Sequence, residues 1–226
     1  MKGLLCKFKE KSYMTERINT DECITITKEE AMKMIDEFKG DSITIKIVQN
    51  KKETTKIPVG DVEIGQSICN GKYVVVDHFD DETVGVVRKE VIDSDMKFGE
   101  TNNWSKSGLR KYLNTEYLKE ITDEFGEVEL HTVDMLSMDG DNAYGKCEDL
   151  VSVMTFDRWR KYHKYIGDAD YTEWLSTPTQ IEKSNDTHYL QIVNSKGEMC
   201  CCICGWNDCC VRPFFILKSS ILVSVN

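Results

Sequence analysis

Apolar residues change their spacing several times along the 226-residue chain, and each change predicts an element. Thr27-Lys28-Glu29-Glu30 reads as a capping box, and Ala31, Met34, Ile35 and Phe38 follow at helical spacing until Gly40, which predicts a short amphipathic helix from Lys28 to Phe38. From Ser42 to Val48 the period falls to two, with Ile43, Ile45 and Ile47 on one face of a strand. Asn50-Lys51-Lys52-Glu53 then reads as a turn. Residues 1–56 are therefore expected to form a small appendage of a helix and one or two strands, and 57–226 a second, larger domain.

From Ile57 the texture is that of a β-meander. Val62-Glu63-Ile64, Tyr73 to Asp77 and Thr83 to Val87 read as strands, separated by Gly60, Gly65, Gly71 and Asp80-Asp81. Asn103-Trp104-Ser105 opens a helical region in which Leu109, Tyr112, Leu113, Tyr117, Leu118 and Ile121 are the apolar positions; Asn114-Thr115 divides it into two helices in tandem. Asp149 to Met154 is a strand candidate. It leads into a helix capped by Thr155, with Phe156, Trp159, His163 and Ile166 along its inner face. From Trp174 onward the chain reads as strands and turns, with Gly205-Trp206-Asn207-Asp208 as the tip of a hairpin from Met199 to Phe215.

Composition narrows the function classes. The longest apolar runs, such as Tyr73–Val76 and Phe214–Leu217, are far shorter than the roughly 18 residues that cross a bilayer, so no membrane association is expected. Lys7, Lys9 and Lys11 interrupt the N-terminal segment before any apolar core forms, which argues against an export signal. A net charge of −10 disfavours nucleic acid, whose binding depends on releasing counterions from phosphates. The one basic and aromatic run, Arg158 to Tyr165, reads better as a helix with Trp159 and His163 inward and Arg158, Lys161 and Lys164 in solvent. Met138-Asp139-Gly140-Asp141-Asn142 resembles the start of a calcium loop, but Ala143, Tyr144 and Leu150 stand where an EF-hand needs a ligand, a glycine and a glutamate. It reads as a polar turn. His78, His131, His163 and His188 are scattered, with no nucleophile motif beside them.

Ten cysteines, six of them between Cys200 and Cys210, read as thiols of a reducing cytoplasm. In the expected hairpin Cys204 and Cys209 face each other, with Cys202 on the same face and Cys201 and Cys210 on the other. Cys202, Cys204 and Cys209 are thus a candidate thiol site. Only Cys201 and Cys204 have metal-knuckle spacing, and on a strand they point opposite ways, so neither a metal nor another cofactor is expected.

Three separated motifs line up: Trp104-Ser105-Lys106-Ser107-Gly108-Leu109-Arg110-Lys111-Tyr112-Leu113-Asn114, Trp174-Leu175-Ser176-Thr177-Pro178, and Val211-Arg212-Pro213-Phe214. Together they resemble a domain of unknown function common in gut bacteria and their phages, whose members read W-x-x-S-x-L-R-x-W-L-N, D-x-x-F-L-L-S, W-W-L-R-S-P and G-V-R-P-A in order. Asp149 to Thr155 fits the second block, Ser176 replaces the usual arginine of the third, and Cys210 replaces the usual glycine of the last. The resemblance covers about Ile57 to Leu217. It implies an α+β fold akin to the C-type lectin-like fold of formylglycine-generating enzymes: two main helices on a twisted, mostly antiparallel sheet, with the chain ends close together. Within it Trp104, Arg110, Asn114, Trp174 and Arg212 are the motif residues. The arginines read as scaffold ion pairs and the tryptophans as core.

These readings point to a non-catalytic recognition protein of phage or bacterial origin that binds a protein, such as a component of an intracellular host defence system. A virion or surface receptor-binding module and a thiol- or metal-dependent oxidase-like enzyme are the alternatives.

Overall fold

Two compact units divide the chain at Thr54/Thr55 in the computed structural model. The structure describes residues 2–6, 14–16, 23–25, 33, 43–47, 55–92, 96–167, 171–181 and 188–225. In the first unit, β1 (Lys2–Cys6) pairs in parallel with β4 (Ile43–Ile47), and β2 (Met14–Glu16) pairs antiparallel with β3 (Cys23–Thr25). The alternating run at Ile43 is therefore a strand, and three further strands join it where one at most was expected. The expected helix from Lys28 to Phe38 lies outside the described residues except for Lys33, which is helical and exposed.

The second unit is α+β with mostly antiparallel sheets. Its central sheet runs in the order β11 (Val151–Val153), β15 (Pro213–Lys218), β8 (Thr83–Arg88), β7 (Tyr73–His78), β6 (Ser67–Ile68), with every neighbouring pair antiparallel. Strand alternation gives this sheet two apolar faces. Tyr73, Val75, Val84, Val86, Phe215 and Leu217 pack with Leu109, Leu113, Ile121 and Phe125 on one side. Val74, Val76, Val87, Phe214 and Ile216 pack with Tyr162 and Ile166 on the other. Burial on both faces explains why these strands read as continuous apolar runs.

The first helical layer begins with a 3₁₀ turn, Trp104–Lys106, followed by α1 (Gly108–Tyr112), a π-helical segment Leu113–Tyr117 and α2 (Leu118–Phe125). The break expected at Asn114-Thr115 is this wider π turn. On the opposite face, α3 (Phe156–Ile166) is capped by Thr155, whose Oγ1 accepts from the Arg158 N–H at 3.2 Å. Its inner face differs from the expected one: Tyr162 and Ile166 are buried, whereas His163 is exposed and stacks on half-buried Trp159 with ring centroids 4.6 Å apart. Arg158 also turns inward, laying its guanidinium 4.4 Å from the Phe214 ring centre and donating to the Thr132 carbonyl at 2.9 Å. Positions 158, 162 and 166 form one stripe, and the aliphatic stem and planar head of arginine allow it to cover apolar surface.

A smaller antiparallel sheet joins β12 (Glu173–Pro178), β13 (Tyr189–Val193) and β14 (Met199–Ile203). The hairpin β9 (His131–Asp134) and β10 (Lys146–Asp149) and the pair β5 (Lys56–Pro58) and β16 (Leu222–Ser224) complete the unit. The β5–β16 ladder brings the two ends of the unit side by side. Val62-Glu63-Ile64 is not a strand; it follows the 3₁₀ turn Val59–Asp61, and the Val62 N–H closes that turn on the Val59 carbonyl at 3.1 Å. Among the described residues no helix is long and apolar enough to cross a membrane.

Candidate functional site

Asp149 gathers the first motif. Ser107 caps α1 by accepting from the Arg110 N–H at 3.0 Å, and Asn103 accepts from the Ser105 N–H at 3.0 Å, so the turn carrying Trp104 is fixed from both sides. The Trp104 indole is fully buried and donates to Asp149 Oδ2 at 2.6 Å, while Arg110 Nε donates to Oδ1 at 2.6 Å. The other guanidinium nitrogens reach the carbonyls of Ser105 and Glu148 at 3.4 and 3.2 Å, and the Cys147 thiol donates to Oδ2 at 3.6 Å. The π turn sets Asn114 against the next strand: its amide donates to the carbonyls of Arg110 (3.0 Å) and Val151 (2.8 Å), and its Oδ1 accepts the N–H groups of Leu150 (3.0 Å) and Val151 (3.1 Å). Trp104, Arg110 and Asn114 thus tie the helical layer to the chain around Asp149.

The second and third motifs meet in another clamp. Arg212 forms a bidentate pair with Glu173, Nε to Oε2 at 2.7 Å and Nη2 to Oε1 at 2.8 Å, with both side chains only 4% exposed. Its Nη1 donates to the Lys89 carbonyl. Trp174 donates its indole N–H to the Met96 carbonyl at 3.4 Å. Phe98 lies between the two motif tryptophans, its ring centre 5.7 Å from that of Trp104 and 5.8 Å from that of Trp174. Ser176, where the resembled family has arginine, is fully buried and donates to the Met154 carbonyl at 3.5 Å.

The cysteine-rich segment departs from the expected hairpin. Strand β14 pairs with β13, while the returning chain pairs elsewhere: Cys210 bridges Glu173 in parallel, Val211 bridges Ile92, and β15 lies between β8 and β11. Cys204 and Cys209 are therefore not cross-strand partners, because the return segment is captured by the buried Arg212 clamp and the central sheet. Cys202, Cys204, Cys209 and Cys210 are buried and Cys200 and Cys201 are exposed. Cys69, Cys147, Cys200, Cys201, Cys202 and Cys209 are free thiols. Among the described residues no three His, Cys, Asp or Glu side chains are grouped to hold a metal ion.

Sequence reasoning missed Asp149 and Glu173 as the anchors of the two clamps. The available signal was an acid at the start of each apolar strand. It also missed the meeting of His131 with Ser152, 2.8 Å between Nε2 and Oγ. Both residues are buried, so this pair is sealed from any substrate. Burial first, and then the Arg158 charge, pull the His131 pKa from 6.5 down to about 3. The polar turn Ser137–Asp141 closes on itself, with the Ser137 N–H donating to the Asp141 carbonyl at 3.0 Å.

Two depressions stand out among the described residues. One of about 520 Å³ lies over the first clamp, between Ser105, Lys106, Arg110, Lys111, Leu130 and Glu148. The other, about 630 Å³, is edged by Asp61, Asp80, Asp81, Glu82, Glu129 and Lys218. Leu130 at the first depression is 63% exposed, and a group of exposed apolar side chains lies on another element. On the outward face of the β13–β14 pair, Tyr189 and Ile203 are direct register partners, 38% and 42% exposed, and Trp206 in the following turn is 56% exposed. No family model matches the chain, and neither curated proteins nor solved structures give a significant match.

Proposed function

We propose that this chain is a non-catalytic recognition protein of phage or bacterial origin, built on a C-type lectin-like scaffold, that binds another protein inside the cell. The observation that carries the reading is the exposed trio Tyr189, Ile203 and Trp206. Large aromatic and branched side chains at a sheet edge are the residue types that anchor protein interfaces. The lectin-like assignment is supported by the motif order and by the β5–β16 ladder, which joins the ends of the unit as that fold requires. The motif side chains favour scaffold over substrate contact, since Arg110, Asn114 and Arg212 direct their donors to Asp149, Glu173 and main-chain carbonyls. The free thiols, with Cys202 and Cys209 buried among them, fit a reducing compartment.

The test is affinity capture of the intact chain from bacterial lysate, with recovered protein identified and its stoichiometry measured. The reading predicts one protein at fixed stoichiometry that is lost with the double variant Ile203→Lys, Trp206→Ala and kept with Leu222→Lys, a substitution of an exposed leucine on a different sheet. Recovery of nucleic acid in place of protein, or equal capture by both variants, contradicts it.

A further inference from the structure

The sheet β12–β13–β14 has two edges, and they differ. On β12 the edge is blunted: Pro178 has no N–H to offer, the register shifts between Trp174 and Pro178, and Cys210 bridges Glu173. The Ser176 N–H and the Pro178 carbonyl are also taken, by Met154 and Met138 at 3.0 Å each. Strand β14 carries none of these devices. Its five residues, Met-Cys-Cys-Cys-Ile, include no charge and no proline in a chain that is 30% charged, and they pair with β13 in unbroken register. Two hydrogen bonds fix which main-chain groups point outward. The Cys204 N–H donates to the His188 carbonyl at 2.8 Å and the Asn194 N–H to the Glu198 carbonyl at 2.9 Å, so positions 198, 200, 202 and 204 turn toward β13. Met199, Cys201 and Ile203 therefore turn their N–H and carbonyl groups away from it. The Ile203 carbonyl accepts from the Trp206 N–H at 3.0 Å; the other outward groups have no main-chain partner among the described residues. Cys201 and Ile203 are also exposed as side chains.

We propose that β14 is a self-pairing edge: a second copy of this chain adds its own β14 antiparallel to it, about a two-fold axis at Cys201, to give a reversible dimer. Pairing about that residue lets the two Cys201 residues exchange N–H···O bonds, and each Ile203 N–H reaches the Met199 carbonyl of the other copy. Every bond so formed uses a group that is free in the single chain. The same register sets Met199 beside Ile203 of the other copy, apolar against apolar. Charge is what selects a second copy over the strand of another protein. About a two-fold axis the strand faces itself, so a lysine or glutamate at its centre would meet its like; none is present. Each copy carries a net charge of −10, and a five-residue ladder buries little area, so the association is weak and strengthens as salt screens the repulsion. A partner held by opposite charge would be released by salt instead. Joined in this way, the two outward faces lie on the same side of one continuous sheet. The dimer does not depend on which protein those faces bind.

The experiment is sedimentation of the purified, reduced full chain over a range of concentrations at low salt and at about 0.5 M salt, with amide exchange and short bis-maleimide cross-linking on the same samples. The expected result is a monomer–dimer equilibrium that moves toward dimer with concentration and with salt. In the dimer the Cys201 and Ile203 amides should exchange more slowly, and the cross-link should join Cys201 of one copy to Cys201 of the other. Cys201→Ser should keep the dimer and lose the cross-link, and Cys200→Ser should keep both. Cys201→Pro, which the fold tolerates because that N–H points away from β13, should weaken dimerisation about thirtyfold, the effect of losing two main-chain hydrogen bonds. It alters none of Tyr189, Ile203 and Trp206, so a failure here is distinct from a failure of partner capture. A chain that stays monomeric at every concentration overturns the proposal, whether its Cys201 amide exchanges freely or is covered by another part of the chain. A dimer that salt dissolves, or one whose cross-link avoids Cys201, overturns it in the wild-type chain whether or not the proline variant folds.

Discussion

The two arginine clamps use the same chemistry in different surroundings. Asp149 is fully buried but receives donors from Trp104, Arg110 and Cys147, and the Arg110 side chain is 31% exposed. Glu173 receives both of its charged hydrogen bonds from the single guanidinium of Arg212, with each side chain only 4% exposed. A carboxylate with several donors tolerates the loss of one. A carboxylate served by one buried cation does not, because removing that cation strands a charge in a low-dielectric interior.

The largest predicted effect follows from that contrast. Arg212→Met should cost about 3–5 kcal/mol of unfolding free energy, measured by denaturant titration, and the double variant Arg212→Met, Glu173→Leu should recover most of it. Arg110→Met, with Trp104 and Cys147 still serving Asp149, should cost less than half as much. Equal losses at the two clamps would break the comparison.

Acid provides a second test at His131, the register partner of Asp149 in the β9–β10 hairpin. His131 is neutral in the folded chain, with its pKa depressed from 6.5 to about 3, so the unfolded state binds the extra proton between those values. Its contribution to stability is complete above about pH 6.5 and is lost as pH falls toward 3. At pH 4 the loss is on the order of 3 kcal/mol. His131→Gln should flatten the pH dependence of stability across this window, as read by unfolding at pH 4 and pH 7. An unchanged slope would place the acid sensitivity elsewhere.

A smaller effect sharpens the account of the first clamp. Asn114→Ala leaves the Leu150 and Val151 N–H groups without their side-chain acceptor and should cost about 2 kcal/mol by thermal unfolding. Asn114→Asp keeps the acceptor for both N–H groups and should restore part of that stability.

What the sequence revealed follows from how local each signal is. Tyr73–His78, Thr83–Arg88 and α3 are legible because composition and a cap residue define them within a few positions. The inner face of α3 is not, since Arg158 reads as a surface cation until a ring such as Phe214 is placed beneath it. The cysteine hairpin fails for a related reason. Its turn is local, but the partners that capture Cys210 and Val211 lie at Glu173 and Ile92, and chain spacing does not indicate such distant pairings. The motif residues were readable as scaffold, whereas Asp149 and Glu173, which make them so, looked like ordinary acids at strand ends.

The central claim is that the motif side chains hold the fold while the outward face of β13–β14 does the binding. One crossed measurement tests it: the melting temperature and the yield of captured partner, determined together for Arg110→Met and for Ile203→Lys, Trp206→Ala. The account predicts that the first lowers the melting temperature and still captures the partner at temperatures where it is folded. The second should keep the melting temperature within a few degrees and lose the partner. A folded Arg110→Met chain that captures nothing, beside a β13–β14 variant that captures normally, would contradict the account and place recognition in the groove above Asp149.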